Sequence, residues 1–463
     1  MAWKKQLDAV YKLDDYQVVG ANWLAKRRHA LLADVMGIGK SAQAVHGCEL
    51  VDAKQIVIVC SAAKRFDWER DFKLWSERYR GYDFQRVNSK KDKIQIGAII
   101  AASYENLYVV TAALKAAGKR VDVLIIDEIQ YLKSPTAKRT KDVLGREGIV
   151  HHCDRVWMLS GTPMLNHPGE MWPWLYTLFP KSIDFGNGPL KYDEFVEKFC
   201  TYKITPYGFQ ITGCKDVEGV RDIVWPLTLR RGEECVPDLP PLYIDEMPIA
   251  RTEITWAKDA ETLAHYENME SVQAIVKAAA EIEAGADFTL DDVEDERGRI
   301  VTVRKTCGLA KTRPVSIRIG DMCAEDDTKK VVVFGIFRDC LQLVFEYCKN
   351  LELDPVIIWG GQTPDERQRR ITKFINSRKC RVLVGQIDAL GTGVDGLQHA
   401  ADEIIFIESS WTYAGNCQAI KRLHRRGQRK PVTARFAVLQ DSIDEVVTRV
   451  VKRKTVMLTE IFG

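Results

Sequence analysis

The chain has 463 residues, too many for one ordinary core, so two to four domains of roughly 100–200 residues are expected. Its 46% hydrophobic and 28% charged residues are those of a soluble globular protein, and a net charge of +3 is too small to name a partner. The 12 cysteines form no C-x-x-C pair and do not bunch with histidines, which speaks against a zinc module or a disulfide framework and suits a reducing cytosol. No signal core follows Met1-Ala2-Trp3-Lys4-Lys5 and no run is long enough to span a bilayer, so an intracellular protein with no membrane partner is expected.

In chain order, the first informative element is an apolar strand at Leu31-Leu32 that runs into a turn and then a helix starting near Gly39. The turn Asp34-Val35-Met36-Gly37-Ile38-Gly39-Lys40-Ser41 is a phosphate cradle: the backbone from Met36 to Gly39 offers N–H groups to an anion, Lys40 reaches the β/γ-phosphates, and Ser41 is a ligand for Mg²⁺. Asp34 stands where the general pattern has its first glycine. Upstream, Gln17 carries the paired donor and acceptor that an adenine edge needs. Further strands are expected at residues 56–60, 98–102, 121–126, 156–159, 331–334, 381–385, 403–407 and 433–438. They alternate with helical patterns, the signature of parallel sheets buried on both faces. Between the two groups, from about Arg251 to Asp327, lie a long helical pattern (Thr252 to Ala284), an acidic loop (Asp291 to Glu296) and a helix ending near Cys323. Two α/β lobes joined by a helical connector follow, with boundaries at 1–240, 241–328 and 329–463.

Chemistry concentrates at strand ends. The strand Val121–Ile126 delivers Asp127 and Glu128 to the crevice of an open α/β sheet, where Asp127 is placed to hold Mg²⁺ and Glu128 to polarise an attacking water. Ser160 and Thr162, after another apolar strand, are placed to relay the state of the γ-phosphate. In the C-terminal half, Arg422 and Arg425 are three apart, so a helix would put both on one face, and planar guanidinium groups suit the spread charge of a phosphoryl-transfer transition state.

The ordered set of motifs resembles the Swi/Snf-type ATPases of helicase superfamily two over nearly the whole chain. The segment Asp34 to Ser41 is similar to D-E-M-G-L-G-K-[ST], Ser61 with Trp68-Glu69 to the second motif, and Ser103-Tyr104-Glu105 to T-S-Y-E. Asp127 to Gln130 stands for D-E-x-H, and Leu159 to Pro163 with Asn166 for L-[ST]-G-T-P-x-x-N. Leu229-Arg230-Arg231 and Leu239-Pro240-Pro241 resemble the exit from the first lobe. In the second half, Gly360 to Thr363 with Glu366-Arg367-Gln368, Gly391 to Asp395, and Gln418 to Gln428 fill the remaining positions. The segment Tyr192 to Tyr202 further resembles the annealing-helicase, fork-remodelling branch.

The resemblance implies two RecA-like lobes, ATP and Mg²⁺ as the bound groups, and a DNA-stimulated ATPase acting as a monomer that moves on double-stranded or forked DNA in repair, recombination or fork remodelling. It implies nucleotide contacts from Gly393 and Asp395, DNA contacts from Ser61, Ser103, Tyr104, Thr363, Thr392 and Trp411, and coupling through Gln130, Ser160, Thr162 and Gln418. A minimal phage or prokaryotic motor core, in the nucleoid or an infected host's cytosol, is the expected setting. Three departures stand out: Val35 replaces an acidic residue, Gln130 a histidine, and Lys421 an acidic residue before the first arginine. A strand-separating DNA or RNA helicase, an ATP-gated clamp without hydrolysis, and a motor subunit of a restriction or recombination complex stay open as alternatives.

Overall fold

A computed structural model describes residues 11–205, 208–236, 238–254, 297–390, 396–410, 413–445, 448 and 461. The chain divides into two compact units after Val236. In the first, strands β1 (His29–Leu32), β2 (Ile56–Cys60), β3 (Phe84–Val87), β4 (Ile99–Ser103), β5 (Val121–Asp127) and β6 (Cys153–Leu159) form a parallel sheet. An antiparallel hairpin, β7 (Cys200–Thr205) and β8 (Gly208–Cys214), stands apart, and β9 (Thr228–Leu229) returns to the edge, giving the order β3-β4-β2-β5-β6-β1-β9. The helices are α1 (Asp15–Ala25), α2 (Lys40–Leu50), α3 (Lys64–Trp75), α4 (Leu107–Ala116), α5 (Lys138–Leu144), α6 (Trp172–Leu178), α7 (Tyr192–Phe199) and α8 (Val217–Val224). Every residue of β2 and β4 is buried, as expected of strands covered by helices on both faces.

The register places the chemistry. Leu32 of β1 pairs with Leu159 of β6, and Leu159 pairs in turn with Asp127 of β5. Three strands therefore end level with one another, and the loops after β1, β5 and β6 leave the sheet side by side. Two strand spacings, about 10 Å, separate the first from the last.

The second unit holds a six-stranded parallel sheet of order β10-β15-β14-β11-β13-β12, built from β10 (Leu242–Ile249), β11 (Val331–Gly335), β12 (Val356–Ile358), β13 (Val382–Gln386), β14 (Glu403–Phe406) and β15 (Val432–Leu439). Its described helices are α9 (Arg297–Glu325), α10 (Arg338–Asn350), α11 (Pro364–Asn376), α12 (Ile387–Leu390) and α13 (Tyr413–Ile420). Two expected doubly wound sheets are present. The connector expected at 241–328 is resolved differently: β10 pairs along its whole length with β15, and Val303, Cys307, Val315, Ile319 and Cys323 of α9 belong to the core of the second sheet. The reason is legible in the burial of β10. As an edge strand it is mostly exposed, so it lacks the continuous apolar run that marks its neighbours. The helix expected at 252–284 begins as a short turn at Arg251–Glu253 and otherwise lies outside the described residues, as does the acidic loop. No described helix is long and apolar enough to cross a membrane.

One charge is sealed inside the second unit. The Lys311 ammonium, 1% exposed, donates to the carbonyl of Ala437 at 2.7 Å and to Asp444 Oδ2 at 2.5 Å. Lys311→Met strips Asp444 of its cation and should destabilise this unit by about 3–5 kcal/mol, seen as an earlier urea transition; Lys311→Met with Asp444→Leu should recover much of that loss.

Candidate nucleotide site

The loop after β1 is shaped for an anion. Gly37 and Gly39 have φ of 88° and 86°, left-handed conformations that strain any side chain. At Gly39 there is also no room, since a Cβ would fall 2.3 Å from Gln17 Nε2. α2 begins at Lys40, so its first N–H groups and its positive dipole end face the same loop as Ser41. The Lys40 ammonium donates to the carbonyls of Asp34 at 2.7 Å and Val35 at 3.1 Å, which folds it across the loop. Burial lowers its pKa, while the charges of Glu128, Asp34 and Asp127 oppose the shift. Gln17 is 1% exposed with both amide atoms engaged: Oε1 accepts from Asp14 N at 3.0 Å and Nε2 donates to the carbonyl of Ile38 at 3.2 Å. The Tyr16 hydroxyl donates to that carbonyl at 2.9 Å, so α1 braces the glycine turn directly.

Asp34 is wholly buried, and its carboxylate is the hub of the loop. Arg231 grips it with Nε on Oδ1 at 3.0 Å and Nη2 on Oδ2, a two-point pairing that a guanidinium makes best. Gln43 Nε2 adds a bond to Oδ2 at 3.0 Å, and Arg231 also donates to Gln43 Oε1 at 2.7 Å and to the Tyr16 carbonyl. Arg230 donates to the carbonyls of Ala33 at 2.9 Å and Gly161 at 3.2 Å. The pair that reads in the sequence as a lobe exit therefore holds the phosphate loop. No local pattern announces this, because 197 residues separate Arg231 from Asp34. The signal present was the acid itself: a carboxylate in the middle of a buried loop needs a cation.

The carboxylates lie at the end of β5. Asp127 Oδ2 accepts from the Trp68 indole at 2.9 Å. Burial, then the neighbouring charge of Glu128, push the Asp127 carboxyl up to about 6. Glu128 has φ 63°, left-handed for a residue that pays for it in strain, and its N–H donates to the Leu159 carbonyl at 2.8 Å. That turn aims the Glu128 carboxylate away from the strand, where Gln130 Nε2 donates to its Oε2 at 2.8 Å. Gln130 Oε1 accepts from the Ser160 hydroxyl at 2.7 Å, and Ser160 Oγ accepts from Thr162 N at 2.9 Å. The residues after β5 and β6 are thus joined by one unbroken line of hydrogen bonds. The loop after β6 also presses on the phosphate loop: a Cβ on Gly161 would meet Met36 Cγ at 2.5 Å.

These groups fit a hydrated divalent cation. A buried carboxyl whose ionisation is opposed by a second carboxylate gains from a cation beside it, and Ser41 and Asp127 are oxygen donors of the hard kind that would suit Mg²⁺.

The other expected positions are distributed as follows. Tyr104, expected on a DNA-facing surface, is 3% exposed, with its hydroxyl donating to the Asp127 carbonyl at 2.7 Å; it braces the carboxylate turn from below. Ser103 is buried beside it at the end of β4. Ser61 is half-buried after β2, and Thr363 is exposed as the N-cap of α11, accepting from Glu366 N at 3.3 Å. Gln418 lies half-buried on α13. Thr392, Gly393, Asp395 and Trp411 lie outside the described residues.

Arg422 and Arg425 stand just beyond the regular helix rather than on it. α13 ends at Ile420, and both arginines stand in successive turns, with Arg422 N donating to Ala419 O and Arg425 N to Leu423 O. The turns after the helix are tied inward: His424 Nε2 lies 2.7 Å from the Pro240 carbonyl, and Gln428 Nε2 donates to the Ala401 carbonyl at 3.0 Å.

The SNF2-related domain family matches residues 16–243, and the helicase conserved C-terminal domain matches residues 316–427. The chain is 25% identical to the DNA annealing helicase and endonuclease ZRANB3 of Bos taurus, over 97% of this chain and 41% of that protein. It is 24% identical to the Drosophila melanogaster SWI/SNF-related matrix-associated actin-dependent regulator of chromatin subfamily A-like protein 1, over 95% of this chain and 54% of that one. The chain thus spans about half or less of the length of these relatives. A solved Sulfolobus solfataricus SWI2/SNF2 ATPase core in complex with dsDNA aligns over 97% of this chain and 93% of that one at 19% identity; its TM-score of 0.43 is too low to bear on function.

Two outcomes follow from the geometry. Gly39→Ala should abolish nucleotide binding while the chain stays folded, measured by fluorescent-nucleotide titration against circular dichroism. The Asp127 carboxyl is held above its unfolded value, so its ionisation costs the fold stability above about pH 6 and nothing near pH 4. Asp127→Asn should therefore raise the melting temperature at pH 8 and leave it unchanged at pH 4. In the wild-type chain, Mg²⁺-dependent nucleotide affinity should fall as the pH drops through about 6.

Proposed function

Because the chain belongs to the Swi/Snf-type, SNF2-related ATPases, it is a DNA-dependent ATP hydrolase with helicase-like domains, and we propose that it uses hydrolysis to move along double-stranded DNA. The observation that carries the reading is the continuous line Glu128–Gln130–Ser160–Thr162 beside Lys40 and the glycine turn. It joins the group that would face the attacked phosphate to the loop that leaves the site.

ATP is the substrate. Its phosphates are received by the N–H groups from Met36 through Ser41, and Lys40 exchanges its bonds to the Asp34 and Val35 carbonyls for bonds to phosphate oxygens. Ser41 and Asp127 would hold Mg²⁺, which would supply positive charge to the phosphate oxygens. Glu128 orients the attacking water and accepts its proton. Gln17, through the Ile38 carbonyl, keeps the glycine turn in shape and stands near the base. Arg422 and Arg425, with Gly393 and Asp395, are the further residues proposed to act on the nucleotide, guanidinium charge matching that of the transition state.

Gln130 is the coupling residue of this chain. An amide has both a donor and an acceptor, so it bonds the Glu128 carboxylate with one and the Ser160 hydroxyl with the other. Any change in the position of Glu128 is felt at Ser160 and Thr162, and Gln418 would play the corresponding part in the second lobe. Ser61, Thr363, Thr392 and Trp411 are the proposed DNA contacts; Ser103 and Tyr104 act behind them by supporting the turn. Such phosphate contacts position the protein and read no sequence. The likeness to annealing helicases points to forked duplex DNA and to fork remodelling as the setting.

Phosphate release measured against single-stranded DNA, duplex, fork and RNA tests the substrate, and displacement of a triplex strand tests movement without strand separation. Duplex and fork should stimulate most, with RNA inert. Lys40→Ala should abolish turnover. Arg425→Ala should keep ATP binding and lose about 10³-fold or more of DNA-stimulated turnover; full turnover in that variant would remove the arginine from the mechanism.

A further inference from the structure

The mechanism above leaves two polar groups of the second lobe without a role. His424 is 2% exposed at the centre of the turn between the two arginines, and both of its ring nitrogens are engaged. Nε2 lies 2.7 Å from the Pro240 carbonyl oxygen, and Nδ1 lies 2.9 Å from Nζ of Lys421. The partners dictate where the ring proton sits. A carbonyl only accepts and an ammonium only donates, so Nε2 carries the hydrogen and Nδ1 is bare. Burial and the Lys421 charge bring the His424 pKa down to about 4, and burial brings Lys421 down to about 8, so at neutral pH the pair is an ammonium and a neutral ring. An acidic residue at position 421, as the family resemblance leads one to expect, would accept from an Nδ1 hydrogen and favour the imidazolium. This chain has reversed the polarity of the pair.

We propose that Lys421 and His424 are positioning residues that fasten the turn bearing Arg422 and Arg425 to the main chain at Pro240, so that this turn and the segment leading into β10 move as one piece. This rests on the reading of Arg422 and Arg425 as hydrolytic arginines and deepens it. The far side of the fastening is firm: Pro241 accepts from Val432 N at 3.0 Å, and β10 then pairs with β15 along eight residues. The near side needs it. Beyond Ile420 the helical ladder thins out: Lys421 N to Cys417 O and His424 N to Ile420 O keep the helical spacing, and after His424 shorter turns such as Arg425 N to Leu423 O take over, so the backbone that carries Arg425 is held by less than a full helix. The anchor at His424 supplies the constraint between them, and Lys421 fixes the tautomer that makes the anchor.

Nitrogen chemical shifts of the full wild-type chain labelled with ¹⁵N-histidine test the anchor directly. His424 should hold the Nε2–H tautomer and remain neutral down to about pH 5; the opposite tautomer, or titration near the ordinary 6.5, would overturn the proposal. Lys421→Glu should convert the ring to imidazolium at neutral pH, and an unchanged neutral ring there counts against it. In kinetics, Lys421→Met should lower DNA-stimulated kcat about tenfold or more with KM for ATP kept within about twofold. His424→Gln, whose amide keeps a donor for Pro240 and an acceptor for Lys421, should retain most of the wild-type kcat. Wild-type kcat in Lys421→Met, or a loss confined to KM, would sink the positioning role. The shift measurement is independent of which arginines act in hydrolysis, so a fully active Arg425→Ala would remove the underlying reading while leaving the anchor itself standing.

Discussion

Three neighbouring strands ending level with one another set out the candidate nucleotide site of the first lobe. The pairing of Leu32 with Leu159, and of Leu159 with Asp127, is enforced by backbone hydrogen bonds across a sheet whose strands are apolar and covered. A slip of one residue in β5 would exchange the side chains packed on the two covered faces of the sheet, so the register is held by the fit of the core on each side. What leaves the sheet at that level is three loops of different chemistry. One is rich in glycine N–H groups, one carries carboxylates, and one carries hydroxyls. Catalytic geometry here is inherited from packing.

The loops are then locked by charge. Asp34, Lys40, Asp127, Glu128, Arg230 and Arg231 crowd a small, partly dry volume, and the electrostatics are balanced pairwise: Arg231 answers Asp34, and Lys40 answers the carboxylates after β5. Because Arg231 takes both oxygens of Asp34, that carboxylate is not available to capture Lys40, and the ammonium rests on neutral carbonyls that it can leave cheaply. A lysine trapped in a full ion pair would owe several kcal/mol before touching a phosphate. The two arginines immediately after β9 also tie the end of the first lobe to the glycine-rich loop after β1.

Much of this was readable from the chain, and the failures have physical causes. Continuous apolar runs marked the central strands of both sheets, because a strand buried on both faces has little choice of residue. Edge strands escaped: β3 is half-exposed and β10 mostly exposed, so neither shows the run. The phosphate loop and the carboxylate pair could be found because their chemistry is local. The Arg231–Asp34 clamp could not, since nothing nearby in sequence records it. The arginines after α13 were expected on a helix because spacing of three suits one; the regular helix ends at Ile420 and they lie in the turns that follow it. Tyr104 was expected outside on family likeness; its hydroxyl is drawn in to the backbone carbonyls of Asp127 and Glu128.

The left-handed backbone at Glu128 has a consequence for how this chain can change over evolutionary time. A non-glycine residue held there costs about 1–2 kcal/mol, and glycine would relieve it at once. Relief of that strain therefore comes with loss of the carboxylate proposed to orient the attacking water. Durability and turnover make opposite demands on this one position.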